Sequence, residues 1–242
     1  MFVYDPPGDP LRVLHEDDWF VVIDKPAGLL SVPGIAPEKH DCVRSRVKQM
    51  YPDATGPMTC HRLDLSTSGV MILALNAKTH KNLSVQFEFR RTHKRYIALL
   101  EGHLERDEGV INCPMRKDMD VRPLMLVDFV QGKPSQTQYR VLAREMFDDR
   151  PVTRVELVPH TGRTHQLRVH AAHPGVTTVG TLGQLHDDET SGLGHPIVGD
   201  ELYGDPSLPE PTANRLMLHA SMLTIHHPRT GKQMTFKAPD PF

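Results

Sequence analysis

The sequence predicts an α+β fold built on a large mixed sheet. Short β-branched or aliphatic runs recur along the chain, and helical periodicity is confined to a few brief stretches. No repeat, low-complexity tract or Ser/Gly-rich linker divides the 242 residues. With 38% hydrophobic residues, a chain of this length can bury a substantial core.

Residues 1–12, rich in Pro and Gly, read as a loose arm, leaving 13–242 as one domain. The β-branched run Phe20 to Asp24 predicts a strand, which Pro26 and Gly28 of KPAG then turn. Asp41 can cap a short helix on which Val43, Val47 and Met50 recur at helical spacing. Gly69 to Leu75 is too continuously apolar for a half-exposed strand and belongs in the middle of a sheet. Asn76 can cap a helix to about Phe89, with Leu83 and Phe87 inward and lysines outward. Tyr96 to Leu100 predicts the next strand. Shorter ones follow at Gly109–Asn112, Thr137–Val141, Arg154–Val158, Leu223–Ile225 and Met234–Lys237. Between Asn112 and Gln138 lies a polar segment too long for a tight hairpin, which reads as a protruding arm or functional loop. Thr164 can cap a helix through about His173, stopped by Pro174–Gly175.

Several function classes are disfavoured before any motif is weighed. No run of eighteen apolar residues appears, and the N-terminus lacks the basic and apolar regions of a secretory signal, so a cytoplasmic protein is expected. Cys42, Cys60 and Cys113 form an odd set without a CxxC pair, which argues against a disulfide framework or structural zinc. Gly-rich phosphate loops of the GxxxxGK[ST] or GxGxxG kind are absent, which disfavours a nucleotide cofactor. The net charge of −2 gives no global sign of a nucleic-acid partner. Local charge differs: Lys78 to Arg95 holds six Lys/Arg against the single acid Glu88.

Two constellations can carry chemistry. In HRLDLSTSGV, an extended backbone puts Arg62 and Asp64 on one face and Leu63 on the other, toward the core. Asp64 can either cap the Ser66–Thr67–Ser68 turn or face substrate, and spacing alone favours the turn. In HTGRTHQLRVH, Gly162 frees the backbone before Arg163, which sits at the rim of a helix N-terminus beside open N–H donors, a place for an anion. That anion can be a phosphate or a carboxylate such as Asp64. An arginine within about 4–6 Å would lower an aspartate pKa by roughly 1–3 units, leaving a permanent carboxylate fit to attack or to accept a proton. His160, His165 and His170 invite a metal, but five residues turn a helix by about 500°, so His165 and His170 diverge by roughly 140°, and no metal is expected.

HRLD with TSG, KPAGLLSVPG upstream, KRY at Lys94–Tyr96, GRTHQLRVH, GHPIVGD at Gly194–Asp200 and LMLHA at Leu216–Ala220 together resemble the RluA family of pseudouridine synthases. The resemblance runs in the family's order from about Leu14 to Phe242. The segment GKPSQTQY, the MTFKAP ending and the lack of an RNA-binding domain before KPAG are most similar to the short, dual-specificity branch, which acts on ribosomal and transfer RNA. The resemblance implies a pseudouridine-synthase fold, a mostly antiparallel mixed sheet in two halves with a cleft, flanked by helices and loops. It makes Asp64 the catalytic aspartate, lets Tyr96 stack on the target base, pairs Arg163 with Asp64 and packs Leu218 beneath the site. Arg62 would occupy the space left by the flipped uridine, and His61, Lys94, Arg95, Arg116, Lys133 and Arg168 are the further RNA contacts it suggests.

The implied reaction breaks the C1′–N1 bond, turns the uracil and joins C1′ to C5, so it needs neither oxidant nor cofactor. A carboxylate can attack C1′ or remove the 2′ proton, and the sequence does not choose between them. The expected partner is a ribosomal or transfer RNA stem-loop, with no membrane or obligate protein partner, and the chain is expected to be a monomer. One departure from the family is an insertion at about 174–192, which reads as a surface loop. A non-catalytic RNA-binding module and a metal-dependent hydrolase on the His160–His170 cluster are the competing readings.

Overall fold

The computed structural model describes residues 3–174, 189–205, 207 and 213–242. In chain order the elements are β1 (Arg12–Glu16), β2 (Phe20–Lys25), α1 (Val43–Met50), β3 (Ser68–Ala74), α2 (Ala77–Glu88), β4 (His93–Glu101) and β5 (Glu108–Asn112). They continue with β6 (Met115–Lys117), β7 (Met125–Val127), β8 (Gln136–Phe147), β9 (Arg150–Pro159), α3 (Gln166–Ala172), β10 (Glu189–Thr190), β11 (Leu218–His226) and β12 (Gln233–Lys237). The chain divides into two compact units, Met1–Arg95 with His219–Phe242, and Tyr96–Leu218.

The first unit holds a sheet in the order β1-β2-β3-β11, with β12 on β11. Every residue of β3 is buried, as its unbroken apolar run requires of a strand covered on both faces. β2 runs antiparallel to it and β11 parallel. Gly69 lies where β3 meets β11, at a φ of +113°, and a Cβ there would come within 2.3 Å of the Ala220 carbonyl oxygen. Only glycine allows that approach. Phe20, Val22, Val70, Ile72, Leu83, Leu223, Ile225 and Phe236 form the core, so α2 covers the sheet through Leu83 with Phe87 partly buried beside it. Asn76 caps α2 as expected, its side chain accepting from the Thr79 N–H at 2.9 Å.

Three expectations for this unit need correction. The cap of α1 is Cys42, whose sulfur accepts from the Ser45 N–H while the Ser45 hydroxyl accepts from the Cys42 N–H. Asp41 instead accepts from Arg46 Nε and Nη2, both at 2.7 Å, and Met50 is exposed rather than packed. The arm at 1–12 is tied down. Tyr4 is buried, donating to the Asp41 carbonyl and accepting from the Leu30 N–H, and Arg46 donates to the carbonyls of Pro7 and Asp9. The chain then enters β1 at Arg12, a strand whose RVLHE sequence has no β-branched run to announce it.

The second unit holds a sheet in the order β4-β9-β8-β5-β10, antiparallel except for β10 on β5. The long polar segment contains a small antiparallel ribbon of β6 and β7. Helix α3 begins at Gln166, later than Thr164 would place it, because His165 takes a left-handed φ of 53°. The helix entry is held instead by the Gln166 side chain, whose oxygen accepts from the Arg163 N–H and the Thr161 hydroxyl. Residues 175–188 of the insertion lie outside the described residues, and of its remainder the two-residue β10 is seen.

Candidate active site

In the first unit, His61 to Asp64 lies outside any strand, with a bend at His61, and is followed by a turn at Leu65 and Ser66. Leu63 is buried and Arg62 exposed, and Asp64 is half-buried beside them. What fixes this segment is a set of backbone bonds from the KPAGLLSVPG stretch. Buried Ser31 grips Leu63 from both sides: its hydroxyl donates to the Leu63 carbonyl at 2.6 Å and accepts from the Leu63 N–H at 3.2 Å. Lys25, fully buried, donates to the carbonyls of Pro26, Leu65 and Thr67 at 3.0, 3.1 and 2.7 Å. The Gly28 N–H also donates to the Leu65 carbonyl, and the Thr67 N–H closes the turn onto the Asp64 carbonyl. Asp64 is thus carried on a backbone clamped before and after it. Sequence reasoning assigned Lys25 and Ser31 no role, although the motif containing them was conspicuous.

His61 departs from its expected role as an RNA contact. Its ring stacks on Phe87 at 4.4 Å, and its Nε2 accepts from the Ile72 N–H at 3.1 Å. Burial, with a smaller contribution from the Lys94 charge, pushes its pKa down to about 3, so the ring is neutral near pH 7. It braces the segment rather than meeting a phosphate. Lys94 is partly buried on β4, and burial, aided by the Arg90 charge, lowers its pKa. Arg95 is exposed at the neighbouring position.

In the second unit, Tyr96 stands partly exposed on β4 opposite Leu157 of β9. Arg163 is partly exposed, and its Nε and Nη2 donate to the Pro134 carbonyl at 3.3 and 3.2 Å. Its backbone N–H is already bonded to Gln166, so the open donor expected for an anion is taken. Leu218 is buried. Within the long polar segment, Arg116 donates to Asp128 at 2.5 Å, and that bond, with the Val130 and Gln131 N–H groups, lowers the Asp128 pKa to about 2. Lys133 is exposed.

Arg168 is the clearest correction among the expected RNA contacts. It is 3% exposed and clasps Asp200 through Nε and Nη2 at 2.9 and 2.5 Å, with its guanidinium over the Tyr203 ring. A buried guanidinium so engaged is structural, and the ending of GHPIVGD at Asp200 was the available signal. The three histidines also serve different ends. His160 is exposed, His165 meets the Tyr203 hydroxyl at 2.8 Å, and His170 is buried against Ser135 at 3.0 Å. Among the described residues no three His, Cys, Asp or Glu side chains form a metal-binding group.

The arrangement offers a clamped carboxylate for covalent or proton-transfer chemistry. Residues 19–173 match the model of the RNA pseudouridylate synthase family. The chain belongs to this family. It is 44% identical over 232 residues to the dual-specificity RNA pseudouridine synthase RluA of Vibrio parahaemolyticus, covering 95% of this chain and 84% of the relative. To the protein of the same description in Escherichia coli K12 it is 42% identical over 240 residues, covering 99% and 98%. The solved structure of the human RNA Pseudouridylate Synthase Domain Containing 1 is 32% identical, with a TM-score of 0.76 over 98% of this chain and 87% of that one. The protein is an RNA pseudouridine synthase, an isomerase of uridine in RNA, on the α+β fold of that family. Among the described residues, no helix is long and apolar enough to cross a membrane.

Proposed function

We propose that this synthase isomerises uridines in both ribosomal and transfer RNA stem-loops, with Asp64 as its reacting carboxylate. The observation that carries the reading is the clamped HRLD turn, in which Ser31 and Lys25 fix the backbone on either side of a half-buried Asp64. Two relatives described as dual-specificity enzymes, each matched over 95% or more of this chain, support the two-RNA assignment.

Asp64 attacks C1′ or takes the 2′ proton; in either course the C1′–N1 bond breaks, the uracil turns, and C1′ joins C5. The change is an isomerisation: C5 loses its proton to solvent as N1 gains one from solvent, and on the second route Asp64 returns to C2′ the proton it took. Taking the base out of its stack costs a few kcal/mol. Tyr96 supplies an aromatic face for the uracil, worth on the order of 1–3 kcal/mol, and exposed Arg62 occupies the vacated place. Arg163 contributes a cation to the reaction and Leu218 apolar packing. Arg95, Lys133 and the Arg116 ribbon meet phosphate, so affinity falls steeply with salt despite the net charge of −2. The protein works as a cytoplasmic monomer.

Incubation of the protein with tritiated-uridine transfer RNA and, separately, ribosomal RNA tests the assignment. Pseudouridine at a mapped stem-loop position is expected in both. Product in one RNA alone would reduce the proposal to a single substrate, and product in neither, from folded protein, would overturn it.

A further inference from the structure

The end of α2 carries a group of side chains that the roles above leave unused. The helix closes with the Arg91 N–H on the Gln86 carbonyl at 2.8 Å and the Arg90 N–H on the Phe87 carbonyl at 3.2 Å, the paired bonds of a Schellman motif. Arg90 therefore occupies the left-handed position after the helix, at a φ of 56°. Glycine is the ordinary residue there because a Cβ strains that backbone. An arginine at such a position keeps a charged side chain at the expense of conformational ease, a pattern associated with functional sites.

The neighbours point to a ligand. Phe89 is 62% exposed, a large apolar ring presented to solvent on the same turn. The Arg91 guanidinium lies 5.8 Å from its centroid, and Arg91 also lines a recess of 340 Å³ with Asn82, Val85, Gln86 and His226. From Phe89 to Arg95 there are four Lys/Arg and no acid, and the charge of Arg90 helps lower the pKa of Lys94. An exposed aromatic face bordered by closely spaced cations suits an unpaired nucleotide, whose base stacks and whose phosphates neutralise the charge. The turn also adjoins the HRLD segment, because Phe87, two residues before Phe89, carries the stacked ring of His61.

Resting on the reading of this protein as an RNA pseudouridine synthase, we propose that the α2 turn is an RNA subsite. An unpaired base beside the target uridine stacks on Phe89 while Arg90 and Arg91 bind the adjoining phosphates.

The test measures binding of a fluorescein-labelled anticodon stem-loop to the full chain by anisotropy at several salt concentrations, with wild type, Phe89→Ala, Arg91→Ala and Arg90→Gly. Phe89→Ala is expected to weaken binding on the order of tenfold, the loss of one stacked base. Arg91→Ala is expected to reduce the slope of log affinity against log salt by about 0.7–0.9, one phosphate contact. Arg90→Gly separates binding from structure: relief of the left-handed strain should hold or raise the melting temperature while affinity falls. Wild-type affinity and salt slope in all three variants would overturn the subsite. Turnover of the same RNA by wild type is read separately. Weakened variants without turnover would support the subsite and count against that RNA as substrate, whereas unaltered variants alongside turnover would remove the subsite alone.

Discussion

The HRLD segment and the GRTHQLRVH segment each carry two charged residues and at least one histidine, yet they place those groups differently. In the first, Arg62 is exposed and Asp64 half-exposed, while backbone bonds from Ser31 and Lys25 hold the chain. In the second, Arg168 and His170 turn inward to Asp200 and Ser135, leaving Arg163 at the margin. A motif can therefore display its charged side chains or hide them.

The largest effect on this contrast should come from Arg168→Ala. It strips Asp200 of its buried partner, and an uncompensated buried carboxylate costs about 3–5 kcal/mol, read as a fall in the denaturation midpoint. Arg62→Ala, on the displayed side, should leave that midpoint within about 0.5 kcal/mol while weakening RNA binding. Equal destabilisation by the two would erase the distinction. Lys25→Met comes next. It removes an ammonium that donates to three carbonyls, for a loss of about 2–3 kcal/mol and a lower isomerisation rate as the Asp64 turn loosens. Stability lost without any change in rate would mean that the clamp does not position Asp64.

A pH titration probes the hidden histidines of both segments. Burial lowers the pKa of His61 and of His170 to about 3, against an ordinary value of 6.5. The unfolded chain therefore binds protons that the folded chain refuses between those values, and stability should decline as pH falls from 6.5 toward 3. His61→Asn and His170→Asn should each flatten the decline, followed by thermal melts across that range. The smallest effect belongs to Asp41→Ala, which breaks a partly exposed pair with Arg46 and should cost about 0.2–1 kcal/mol, measurable by denaturant titration.

What the sequence made legible follows the same division. Local rules sufficed for β3, whose apolar run is wholly buried, for the Asn76 cap, and for the burial of Leu63 beside an exposed Arg62. They failed where the deciding partner is distant or atypical. A thiol is an uncommon cap, so Asp41 looked better than Cys42. Nothing local disclosed that Tyr4 would anchor the N-terminal arm and Arg46 bind it, or that Arg168 would find Asp200 thirty-two residues away. For the site, Asp64 was discernible as a candidate from its motif, but Ser31 and Lys25 act through backbone carbonyls and an N–H, which leave no pairing signature in side-chain chemistry.

The central claim, that Asp64 performs the reaction, is tested most directly by single-turnover pseudouridine formation with Asp64→Asn. The change keeps shape and removes the ionised carboxylate. The account predicts a rate lower by on the order of a thousandfold or more, with RNA affinity and melting temperature close to wild type. A rate within a few fold of wild type would contradict it.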